Sequence, residues 1–91
     1  MATPKKQSER ISTMMPTDDN WHGNYPNNMV ELIFNSYRRD KQHWVSAWGN
    51  DDFGLQSKNL SKGVARRLYR KLKNMKVLNK KTLYDLGFKE A

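Results

Sequence analysis

The sequence predicts an α+β fold: a three-stranded antiparallel β-meander packed on one basic amphipathic helix, with a short C-terminal helix. Three observations predict it. Residues 29–37 and 43–48 alternate apolar and polar positions with a period of two, which suits half-buried strands. After Leu60 the period lengthens: Val64, Leu68, Leu72 and Met75 recur at spacings of four, four and three, one stripe of a helix that Ala65 and Tyr69 widen. The links between the successive strands are short and rich in turn residues, which implies antiparallel neighbours.

In chain order, residues 1–27 read as a largely disordered tail. Ser, Thr, Asn, Asp, Pro and Gly dominate it, and such composition buries too little surface to offset the entropy of ordering the backbone. Ile11, Met14 and Met15 could form one helical turn, and the aromatics of Trp21–Pro26 could dock on the domain. The single small domain then spans residues 28–91. In its first strand Val30, Leu32 and Phe34 point one way, and Glu31, Ile33, Asn35 and Tyr37 the other. Residues 38–42 make a polar loop. The second strand places Trp44, Ser46 and Trp48 on one face and His43, Val45 and Ala47 on the other, and the alternation leaves open which face is buried. Gly49–Asp52 is turn chemistry, and residues 53–57 make a third strand weakened by Gly54.

Ser61 is the expected N-cap of the long helix and Asn79 that of a short one running from Lys80 to Leu86. Gly87 stands where a helix commonly ends in a left-handed residue, with Phe88 as the closing apolar contact. The expected core is Val30, Leu32, Phe34, Trp44, Trp48, Phe53, Leu55, Val64, Leu68, Leu72, Leu83, Leu86 and Phe88.

The totals bound the function. The chain has 91 residues, 36% of them hydrophobic, and no Cys. That excludes a disulfide scaffold, a thiolate zinc finger, a cysteine nucleophile and a large enzyme with a deep pocket. No apolar run reaches signal-peptide or transmembrane length, so a cytoplasmic protein without membrane association is expected. The net charge is +8, which favours phosphate-rich or acidic partners. Its distribution says more than its size. Residues 1–52 hold six basic and seven acidic residues, whereas residues 53–84 hold ten basic residues and no acid. The positive charge is thus concentrated on the helical third of the chain.

Catalytic and metal chemistry finds little support. Asp52-Phe53-Gly54 matches the kinase metal-binding tripeptide, but the other kinase motifs are missing and a turn explains it. His22 and His43, even with Asp18 and Asp19, have no metal-ligand spacing. A hydrolase using His43 with Asp51 or Asp52 is the weakest reading, because nothing pairs a nucleophile with that base. No cofactor and no enzymatic activity are expected.

Two signals survive. Lys62, Arg66, Arg67, Arg70, Lys71 and Lys73 could neutralise phosphates from one helix, aided by Arg38, Arg39 and Lys41 at the hairpin tip. An ordinary solvated helix face mixes signs, and this one carries no acid. Trp44 and Trp48 could stack bases if exposed on the sheet, although two tryptophans in so small a domain also suit the core.

Three strands followed by a basic helix resembles two nucleic-acid modules in element order. One is the double-stranded-RNA-binding domain, with Ser61-Lys62 and Arg66-Arg67 as the counterparts of its basic helix start. That domain's first helix precedes its sheet, and residues 1–27 do not supply one. The other is the sheet-plus-helix DNA-binding fold of plant ethylene-response factors and some integrase arms, which would use Arg38, Arg39 and the second strand. The run from Trp44 to Gly54, together with Leu83-Tyr84-Asp85-Leu86-Gly87-Phe88, also resembles small tailed-bacteriophage proteins. They pair a W-G-x-D-D-x-G-like turn with a terminal L-G-F. That resemblance implies no particular activity, but short phage proteins often bind a host protein. The sequence therefore supports a small basic nucleic-acid-binding protein with low sequence specificity. The alternative is an interaction module or inhibitor whose basic face meets an acidic host protein.

Overall fold

The computed structural model describes residues 9–17, 29–37, 39–49 and 54–90. Five strands and two helices follow one another: β1 (Glu9–Pro16), β2 (Met29–Tyr37), β3 (Gln42–Trp48), β4 (Gly54–Gln56), α1 (Lys62–Lys73), α2 (Lys80–Asp85) and β5 (Lys89–Glu90). The strands form one sheet in the order β1-β2-β3-β4-β5, every neighbouring pair antiparallel. The fold is α+β, as the sequence implies, with two strands more than its pattern reveals.

The first addition is β1. Ile11, Met14 and Met15 lie in a strand, not a helical turn, and all eight residues of β1 pair with β2, from Glu9 opposite Ser36 to Pro16 opposite Met29. This segment, which composition assigns to a tail, is part of the sheet. Only Met15 of its apolar residues is fully buried, while Ile11 and Met14 are exposed. An edge strand borrows its order from its partner's hydrogen bonds, so its own pattern is weak. Beyond β1, the Leu78 N–H donates to the Pro16 carbonyl at 2.9 Å and ties the strand to the chain between the helices. The second addition, β5, is two residues that pair with Leu55 and Gln56 of β4.

One face of the sheet meets α1. Residues directly opposite in antiparallel pairs share a face. Met15, Val30, Leu32, Phe34, Val45, Ala47 and Leu55 therefore line one side, and all are buried. From the helix, Ala65, Tyr69 and Leu72 join the same core, with Leu68 and Met75 partly buried against it. Phe34 and Tyr69 meet with ring centroids 6.3 Å apart, tilted by 55°, a favoured aromatic geometry. The buried stripe of α1 is centred on the Ala65 and Tyr69 side of the expected one, and Val64, expected in the core, is 40% exposed.

The same contact decides β3. Its buried side is Val45 and Ala47, so Trp44 and Trp48 lie on the opposite face and are not part of this core. The small Ala47 and Ala65 are both fully buried where helix and sheet face each other, and two indoles would not fit there. Trp48 stands instead over Gly54, its partner across the β3–β4 ladder. A Cβ at Gly54 would lie 2.6 Å from the indole, so the glycine makes room for the ring. On that second face Ile33 and Ser46 are buried at 3% and 2% exposure. Phe53, expected in the core, lies outside the described residues, as do Asp18, Asp19, Trp21, His22, Arg38, Asp51 and Asp52.

The C-terminal end follows its sequence signals. The Asn79 side chain accepts from the Thr82 N–H at 2.8 Å and caps α2. Gly87 adopts φ +95°, and the N–H groups of Gly87 and Phe88 donate to the carbonyls of Tyr84 and Leu83, both at 2.9 Å. That pair of bonds closes the helix through a left-handed glycine and returns Phe88 to the core beside Leu83. Leu86, expected to anchor there, is 39% exposed because the cap turns it outward.

Substitution distinguishes the two stripes of α1. Leu72→Ala should cost about 2–5 kcal/mol in chemical denaturation, and Met15→Ala a similar amount if β1 is integral to the sheet. Val64→Ala should stay within about 0.5 kcal/mol. Gly54→Ala should lose about 1–3 kcal/mol, because the added methyl must displace the Trp48 ring.

Candidate nucleic-acid interface

Helix α1 is held at its start by Ser61, whose hydroxyl accepts from the Val64 N–H at 3.3 Å. Its buried stripe turns the other side to solvent. Arg66, Arg67, Arg70, Lys71 and Lys73 are all exposed on that side. Lys73 also places its ammonium 5.9 Å from the centre of the Tyr69 ring.

Helix stability accounts for only part of this charge. Arg70, Lys71 and Lys73 occupy the last turn, where cations offset the negative end of the helix dipole. Earlier in the helix the logic fails. The first turn carries no acid. Lys62, at the first helical position, opposes the positive end of the dipole. Lys62 with Arg66, Arg66 with Arg70, and Arg67 with Lys71 are like-charged pairs at a spacing of four, each unfavourable by about 0.2–0.5 kcal/mol. Among the described residues, Arg66, Arg67, Arg70 and Lys71 make no ion pair, whereas Lys62 meets Glu9 at 3.5 Å and Arg10 meets Glu31 at 3.6 Å.

Lys62 is thus set apart from the other expected phosphate ligands. It is half-buried and engaged by Glu9 of β1. At the hairpin tip Arg39 and Lys41 are exposed. Lys41 has φ 55°, a left-handed conformation that costs a non-glycine residue energy. The tip shares an end of the molecule with the start of α1: the Leu60 N–H donates to the His43 carbonyl at 2.8 Å, just inside the hairpin, and Ser61 follows.

The structure does not bring the aromatic signal to the basic one. Trp44 and Trp48 lie on the sheet face away from α1, so a strand laid along the helix cannot stack on them. Trp44 is half-buried, and Trp48, at 36% exposure, is committed to Gly54. His43 faces the helix side, with Nδ1 2.8 Å from the Ser36 hydroxyl. Among the described residues no three His, Cys, Asp or Glu side chains are grouped to hold a metal ion. Nor is any described helix long and apolar enough to cross a membrane.

Two hollows accompany these residues. One, of about 590 Å³, runs along α1 and is lined by Val64, Arg67, Leu68, Arg70, Lys71 and Asn74. The other, of about 430 Å³, lies beside Trp44, where Lys58, Asn59 and Gln56 join it. Sequence reasoning missed Lys58, because its neighbourhood depends on a break in strand pairing that no local pattern announces. Comparison with protein-family models, with curated proteins and with solved structures yields no match.

Burial sets one further property of α1. Desolvation holds the Tyr69 hydroxyl above its ordinary pKa of 10.0. The folded protein resists losing that proton, whereas the unfolded chain releases it near the ordinary value. This contribution to stability is therefore complete below about pH 10 and is lost as pH rises through the folded-state pKa. Denaturation midpoints from pH 8 to 11 should fall less steeply for Tyr69→Phe than for the wild type.

Proposed function

We propose that this protein is a nucleic-acid-binding protein that grips phosphates through the solvent face of α1, with low sequence specificity and no catalytic activity. One observation carries the reading. Arg66, Arg67, Arg70 and Lys71 crowd one helix in like-charged pairs with no acidic partner among the described residues. Folding gains nothing from that repulsion, whereas a polyanion relieves it. Lys73 extends the surface, and Arg39 and Lys41 add to it at the end where α1 begins. Arg38 is the further candidate at that tip, and Lys62 contributes only if it exchanges Glu9 for a phosphate. Backbone contacts of this kind provide affinity without reading sequence.

A second reading has its own observation. The hollow along α1 has an apolar floor, Val64 and Leu68, between Arg67, Arg70 and Lys71. That combination suits an acidic, partly apolar protein segment, and short phage proteins, which the sequence resembles, often bind a host protein. Such a partner would use the same cations.

The two separate in one experiment. Labelled single- and double-stranded DNA and RNA are titrated with the protein at several salt concentrations. The nucleic-acid reading expects affinity that falls linearly in log–log form as salt rises. The Arg66→Ala/Arg67→Ala/Arg70→Ala variant should reduce that slope by up to about 3, one for each arginine that neutralises a phosphate. Its folding stability should not fall. No binding at low salt would overturn the reading and leave the protein partner.

A further inference from the structure

The pairing between β3 and the chain after β4 contains a one-residue bulge. Val45 exchanges two bonds with Ser57: the Ser57 N–H donates to the Val45 carbonyl at 2.8 Å, and the Val45 N–H donates to the Ser57 hydroxyl at 3.0 Å. Pairing resumes between His43 and Leu60. Between those two connections β3 contributes Trp44 alone, while the facing chain contributes Lys58 and Asn59. The Ser57 hydroxyl also donates to the Lys58 carbonyl at 2.9 Å, which fixes the kink. Bulges re-aim side chains and open a ladder locally.

The opening is the 430 Å³ groove lined by Gln42, Trp44, Gln56, Ser57, Lys58 and Asn59. Its chemistry is specific. Trp44 supplies an aromatic plane. Gln42, Gln56 and Asn59 supply three carboxamides, each able to donate and to accept. Lys58 supplies a cation, and among the described residues no carboxylate lines the groove. Beneath, the Asn35 amide is held by the Ser46 hydroxyl at 3.0 Å. A flat ring edged with both donors and acceptors, and carrying a phosphate, matches this set: the indole stacks on its face, the carboxamides meet its edge and Lys58 meets the phosphate.

We infer that the bulge beside Trp44 forms a binding slot for one nucleobase and its phosphate. The inference rests on the nucleic-acid reading of α1 and extends it to single strands. The slot lies at the margin of the sheet, and the chain runs from Lys58 through Ser61 directly into α1. Because Trp44 faces away from α1, a strand held in the slot reaches the cations of the helix only by passing around that margin. Trp48, packed over Gly54, takes no part.

The test compares a 12-nucleotide oligo-uridine with an oligomer of the same length and charge that lacks bases, and adds uridine monophosphate as a free ligand. The slot expects the base-containing oligomer to bind at least about fivefold tighter than the abasic one, a gain of the order of one stacked base. Trp44→Leu should bring its affinity down to the abasic level. The exposed pair Gln56→Ala/Asn59→Ala, which leaves the core intact, should do so in part. Equal binding of the two oligomers overturns the slot and leaves phosphate binding by α1 standing. If neither oligomer binds, the phosphate reading fails, and the monophosphate decides the slot separately. Amide shifts confined to residues 42–44 and 56–59 on titration with it support the slot, and their absence overturns it.

Discussion

Ala65, Tyr69 and Leu72 of α1 press against Leu32, Phe34, Val45 and Ala47, and every exposed feature of the molecule follows from that contact. A sheet of antiparallel strands has two faces that sequence alone leaves nearly equivalent. Once the helix covers one, its cations must point away from the sheet and the tryptophans of β3 must lie on the other side. The close approach depends on small residues at the centre, Ala47 and Ala65, both without solvent exposure. Larger side chains there would lift the helix and open the core.

That geometry separates two kinds of chemistry. Electrostatics belongs to the outer side of α1, where repulsion among arginines is kept although folding does not benefit. The indole of Trp44 and the carboxamides of Gln42, Gln56 and Asn59 stand instead at the sheet margin, where the Ser57 bulge breaks the ladder. The segment from Lys58 to Ser61 joins them, because it leaves the sheet at Leu60 and starts the helix at once. β1 supports the same region from the other edge through the Glu9–Lys62 pair, which withdraws one cation from the outer surface and holds the start of the helix against the sheet. Both side chains of the pair stay partly exposed, so it is worth little in free energy and its role is mainly one of position.

Some elements can be read directly. The two helix caps at Ser61 and Asn79, the left-handed Gly87 and the return of Phe88 depend on residues within a few positions of one another, and the structure has them where the sequence puts them. β2 is legible because it alternates and lies between two neighbours. β1 is not, since an edge strand rich in Ser and Thr takes its order from hydrogen bonds to a distant segment. Of the expected stripe of α1, Leu72 is buried and Leu68 and Met75 are partly so, but burial centres on the widening positions Ala65 and Tyr69 and leaves Val64 exposed.

The sequence by itself determined the α+β class, the order of the main strands and helices, the caps and the concentration of charge on α1, because each arises from local period, composition or turn chemistry. Tertiary structure decided which face of β3 is buried and which cation Glu9 engages. It also decided that the tryptophans stand apart from the arginines and that Trp44 has Lys58 and Asn59 for neighbours. These are matters of register and distance between segments far apart in the chain. A one-residue bulge or a rotation of the helix changes them without altering any local pattern.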